Sequence, residues 1–123
     1  MIERARLFLK AYPHFKDAMD LIGHQHSHDD VFVEYMRGDA WLFSSENAAG
    51  LMRIEVNPQG KTAEIWLAGG DLNELLTVLL PKIEVWAAKK GCRNVAHIGR
   101  NGWLKKMDEH GYQNGGSSMW REI

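Results

Sequence analysis

The chain has 123 residues, 45% of them hydrophobic and 25% charged, which is close to the averages for globular domains and the size of one core. The formal net charge is −1 with no block of like charges and no basic stripe, so a large electrostatic footprint for nucleic acid is absent, and no apolar run approaches the ~20 residues that span a bilayer. Cys92 is the only cysteine, which excludes an internal disulfide and a multi-cysteine zinc site; with a start, MIERARLFLK, that lacks an apolar stretch of signal-peptide length, it leads to the expectation of a reducing compartment, the cytoplasm.

Ile2, Ala5, Leu7, Phe8 and Ala11 recur at three- and four-residue spacings and predict a helix that Tyr12-Pro13 ends, because the residue before proline avoids the α region. Phe15, Ala18, Met19 and Ile22 predict a second helix over residues 14–22 with Gly23 at its C-terminal cap. A polar loop follows, and Ser27 or Asp29 is placed to cap a short helix over 30–37 that Gly38 closes. From Asp39 the period changes to two. Residues 40–43, 50–56 and 61–67 predict three strands of an antiparallel meander, with turns at 45–47 and at Asn57-Pro58-Gln59-Gly60.

Residues 65–100 then read strand, helix, strand: an apolar run closes on Gly69-Gly70, a helical pattern runs from Asp71 to Gly91, and a second apolar run covers 94–98. That is a βαβ unit, and its place for a ligand is where the first strand ends and the helix begins, at Ala68-Gly69-Gly70-Asp71-Leu72-Asn73. Pro81 lies inside this helix and removes the bond to the carbonyl of Thr77, so a kink or two in-line segments are expected. A short helix over 101–110 and a final strand over 117–123 complete an α/β (α+β) mixed sheet with helices on both faces, in one domain.

This order, with VWAAKKGCRNVAHIGR followed by WLKKMDEHGY, resembles the GNAT acetyltransferase superfamily over roughly residues 30–123. The GGD before the long helix, the GCRNV strand start and the run Gly99–Trp103 look like its phage- and prophage-encoded subgroup. The resemblance implies a GNAT-like fold with acetyl-coenzyme A in a gap between splayed strands, and it directs attention to Gly69, Gly70, Asp71, Leu72 and Asn73 as the place of its pyrophosphate. Two departures bear on chemistry. The usual Arg/Gln-x-x-Gly-x-Gly/Ala signature falls on Asp71, Glu74 and Leu76, and the usual acid tyrosine, four residues before Gly111-Tyr112, falls on Met107. Two carboxylates at a helix start take the amides and repel a pyrophosphate. The resemblance puts Glu64 and Glu55 on the strands where the family places a general base, and leaves as candidate acid Tyr112, which stands at the place of the usual core aromatic, where its ring serves packing. The two readings are therefore a GNAT-like binding or structural module with no cofactor, virion-associated or in the host cytoplasm, meeting a protein partner or its own copies through exposed aromatics and the N-terminal helices, or an acetyl-CoA-dependent N-acetyltransferase.

Other polar groups read as structural. His24, His26 and His28 with Asp29 and Asp30 carry ligand types for a divalent metal, but no His-Glu-x-x-His and no second histidine cluster accompanies them, so a polar loop and no metal site is expected. His97 stands on an interior strand and is expected as a satisfied core histidine. Cys92 follows a helix C-terminus, the wrong end to activate a thiol. Arg100, between Gly99 and Gly102, is placed to bind an anion or a group of backbone carbonyls.

Overall fold

The change to two-residue periodicity after Asp39 produces a meander of β1 (Trp41–Ser44), β2 (Ala48–Asn57) and β3 (Gly60–Gly70), each antiparallel to its predecessor. The computed structural model describes residues 2–21, 26–98, 101–114 and 118–123. A crossover of α3 (Leu72–Glu74), a π turn (Leu75–Leu79) and α4 (Leu80–Lys89) returns the chain to β4 (Asn94–Ile98), which lies parallel to β3 as the βαβ pattern predicts. After α5 (Asn101–Glu109), the two-residue β5 (Gln113–Asn114) and β6 (Ser118–Glu122) finish a six-stranded mixed sheet ordered β1-β2-β3-β4-β6-β5.

Helices cover both faces, so the sheet separates two cores. One, under α4 and α5, buries Met52, Ile65, Leu76, Leu79, Ile83, Val95, Met107 and Tyr112. The other, under α1 (Ile2–Leu21) and α2 (His28–Met36), buries Phe8, Phe15, Met19, Val31, Tyr35, Leu51 and Leu67. A bulge divides neighbours between them. Leu51 pairs with Leu67 but Met52 pairs with Ile65, so Trp66 is the extra residue on β3, and the alternation is reset at that point.

Two local expectations are corrected and one is met. The chain does not end a helix at Tyr12-Pro13: α1 runs unbroken through Pro13 to Leu21. Pro13 is exposed, while Phe8, Ala11, Phe15 and Met19 form one buried stripe across it. Burying four such side chains, at about 1.5–3 kcal/mol for each large one, outweighs an interior proline cost of ~3 kcal/mol. At Pro81 the expectation of in-line helical segments holds, with a π turn as the joint. The N–H of Leu80 reaches back to the carbonyl of Leu75, widening the turn, and Pro81 falls in the first turn of α4, where a missing N–H costs little. Gly69 and Gly70 extend β3 past its expected end at residue 67, paired with Ala49 and Ala48.

Of the two cap candidates Ser27 is the one used, and α2 begins at His28, two residues before the expected start. Ser27 Oγ accepts from the N–H of Asp30 at 3.1 Å, and Asp30 Oδ2 accepts from the N–H of Ser27 at 2.9 Å, a capping box.

A Cβ on Gly69 would lie 1.8 Å from the carbonyl oxygen of His14, on backbone that cannot yield without moving α1. Gly69→Ala is therefore expected to cost at least about 2 kcal/mol in urea unfolding. Gly38, at φ +87° with open space around it, is expected to lose only about 1 kcal/mol as Gly38→Ala.

Candidate functional site

The end of β3 and the start of α3 are built from close backbone contacts. Gly69 packs against His14 and Phe15 of α1, and Gly70, at φ +96°, would place a Cβ 2.3 Å from the carbonyl of Asn47. Asp71 donates its N–H to that same carbonyl at 2.8 Å. Its side chain caps α3, accepting from the N–H of Glu74 at 2.9 Å. Glu74 then turns away from the helix: Oε1 accepts from the N–H of Asn47 at 2.8 Å and Oε2 from its side-chain amide at 3.3 Å. The backbone N–H of Asn47, followed by the Ser45 hydroxyl, holds the Glu74 carboxyl below the usual range. The β1–β2 turn is thus clamped to the helix start, and Leu72 and Asn73 lie beside a carboxylate on either hand.

β3 pairs with β4 over only part of its length. The ladder runs from Thr62 opposite Asn94 to Ile65 opposite His97, and β3 continues past it to Gly70. His97 stands at that last pair. It is buried, its Nδ1–H donates to the carbonyl of Ile65 at 3.1 Å, and burial keeps the ring neutral by pushing its pKa below the usual value. The expectation of a core histidine with a partner holds.

The two residues named as base and acid do not meet. Glu64 alternates with Ala63 and Ile65, which face the α4 side, and so points to the α1/α2 side. Its neighbours there are Arg53 and Glu55, and burial raises its pKa. Tyr112 lies 1% exposed in the opposite core. Its hydroxyl donates to Glu84 Oε2 at 3.3 Å, and Arg121 Nη1 stands 3.4 Å from that oxygen. Burial first, and then the Glu84 carboxylate, raise the phenol pKa beyond the ordinary range. Met107 fills a core position. Glu55 is exposed on β2. Arg100 lies outside the described residues, as does His24.

The remaining histidines near α2 have structural partners. His28 Nε2 donates to Asp20 Oδ1 at 2.8 Å, and its Nδ1 meets the Tyr12 hydroxyl at 2.6 Å, which ties α2 to α1. The His26 ring meets Trp66 edge-on, with centroids 5.4 Å apart. Among the described residues no cluster of His, Cys, Asp and Glu is arranged to hold a metal ion. Cys92 is buried, and burial raises its thiol pKa. Among the described residues no helix is long and apolar enough to cross a membrane.

Sequence reasoning missed a second polar surface on the α2 side. Arg53 lies 4.5 Å over the Trp66 ring and its Nε is 3.4 Å from Glu34 Oε1, at the side of a cleft of about 460 Å³ that Asp30, Arg37 and Asp39 also line. The alternation of Arg53 with buried residues on β2 was the one available signal. The partner on α2 was not visible in it. A scan against models of known protein families found no match to this chain, and a search of curated proteins found none either.

The raised pKa of Glu64 carries a sign. A carboxyl whose folded pKa lies above its ordinary value of 4.5 favours the fold when protonated, so its contribution is lost as pH rises through the raised value. Glu64→Gln is expected to raise the melting temperature at neutral pH, with the difference closing near pH 4; thermal melts across that range read it out. Tyr112→Phe is expected to cost about 1 kcal/mol in urea unfolding, through loss of the bond to Glu84.

Proposed function

We propose that this chain is a GNAT-like domain of the phage- and prophage-encoded kind that works as a binding or structural accessory module, virion-associated or in the host cytoplasm, and not as an acetyltransferase. The mixed sheet, the parallel β3–β4 pair and the run of β3 past the end of that ladder support the family resemblance. The observation that carries the functional half is the clamp at the α3 start. Asp71 occupies the N–H of Glu74, Glu74 occupies the N–H of Asn47, and Gly69 and Gly70 have their backbones pressed against α1 and Asn47. A pyrophosphate arriving there meets two carboxylates, and the glycines have no open face to offer it. These residues do not fit acetyl-coenzyme A.

The second reading, an acetyl-CoA-dependent N-acetyltransferase, draws on the stretch of β3 beyond β4 and on the raised pKa of Glu64. Against it, Glu64 and Tyr112 lie on opposite faces of the sheet, so they cannot serve one substrate as base and acid.

Calorimetric titration with acetyl-CoA separates the two. Like-charge approach and the loss of amide donors together cost on the order of 2–4 kcal/mol, enough to remove at least tenfold to hundredfold in affinity. The expected outcome is no binding in the micromolar range. A micromolar dissociation constant would favour the enzyme instead.

A further inference from the structure

β1 lies at one edge of the sheet; α1 packs over β2 and β3, and α2 joins the core on that face. The N–H of Ser45 bonds inward to the carbonyl of Ala48 at 2.9 Å, so by alternation Leu42 and Ser44 direct their N–H and C=O groups outward along the open edge. On the α4 side of this edge Trp86 packs against Trp41 and Phe43, with ring centroids 5.3 and 5.2 Å apart, and all three rings are half-buried. A groove of about 470 Å³ runs beside them, lined by Pro81, Lys82, Val85, Trp86 and Lys89. Val85 is 57% exposed there, and Lys90 Nζ stands 5.8 Å from the Trp41 centroid.

The charges of this surface have no ionic counterpart among the described residues. Lys82, Lys89 and Lys90 form no ion pair among the described residues. Glu84, the acid of α4, is directed instead to Arg121 and Tyr112. The surface therefore combines outward backbone donors and acceptors, an apolar aromatic floor and cations that form no ion pair among the described residues.

We propose that the open edge of β1 and the adjoining α4 groove take an extended, acidic segment of a protein partner as an added strand. The proposal rests on the binding-module reading above. Strand addition satisfies the outward groups of Leu42 and Ser44, while alternate side chains of the segment reach the groove. Apolar ones lie on Trp41, Phe43 and Trp86, and acidic ones lie toward Lys82 and Lys89. Asp39 and Glu46 flank the two ends of β1, so the acids belong on the face of the segment toward α4. A second copy pairing across β1 would bring two sets of lysines together. A nucleic acid strand has phosphate acceptors but no regular row of donors to match the edge.

The test is fluorescence anisotropy on the full chain with a fluorescein-labelled octapeptide in which every second residue, the set that shares one face of a strand, is phenylalanine, valine or glutamate and the residues between are threonine. Saturable binding is expected, weakened about tenfold by the double variant Lys82→Glu, Lys89→Glu, and by a similar factor when alternate peptide amides are N-methylated. Both lysines are exposed helix positions, and an unchanged melting temperature checks that the variant folds. The methylated peptide tests the edge without altering the protein at all. No binding, equal binding of a lysine-for-glutamate peptide, tighter binding of oligothymidylate, or a stable dimer that excludes the peptide would each overturn the proposal. The coenzyme titration reports separately on the reading beneath it: absence of both peptide and acetyl-CoA binding removes this surface alone, whereas micromolar acetyl-CoA binding removes the binding-module reading itself.

Discussion

The contact on which the rest depends is the approach of α1 to the end of β3, where the His14-Phe15 backbone sits on Gly69 with no room for a side chain. It sets the depth at which α1 docks, and so the packing of Phe8, Phe15 and Met19 over Leu51 and Leu67. It also accounts for the continuity of α1, since the helix must bring residues on both sides of Pro13 to the sheet at once. The same approach closes the strand-to-helix junction. With Gly69 pressed by α1 and Gly70 pressed by Asn47, the junction is a packing joint whose glycines accommodate the chain's own backbone.

Once the joint is closed, its polar groups are satisfied internally. Asp71 caps α3 and Glu74 reaches the β1–β2 turn, so carboxylates replace an external anion at the helix start. The π turn that follows allows Pro81 to begin a new helical segment while Leu75, Leu76, Leu79, Leu80 and Ile83 all remain buried. One extra residue in the turn thus reconciles a proline with an otherwise continuous apolar pattern.

The bulge at Trp66 distributes chemistry as well as hydrophobic bulk. Ile65 enters one core and Leu67 the other, and Trp66 is left on the α2 side under Arg53 and beside His26. Glu64 shares that face with Arg53, while Tyr112 is held in the opposite core by Glu84 and Arg121. The two residues are thereby separated by the sheet.

Local pattern was enough for the elements whose partners are near in sequence. The Ser27 cap of α2 and the alternation along each strand follow from spacings of a few residues, because hydrogen bonding and alternation act over that range, and the parallel return to β4 follows from the strand–helix–strand order. What tertiary structure alone decided involves residues far apart in the chain: Gly69 against His14, Glu74 on Asn47, Arg53 between Glu34 and Trp66, and Trp86 on Trp41. A glycine pair in a sequence is equally compatible with a turn, a ligand cradle or a close backbone crossing. Which of them forms depends on where a helix some 55 residues earlier comes to rest, and that is set by the packing of two whole faces and by no property of the glycines themselves.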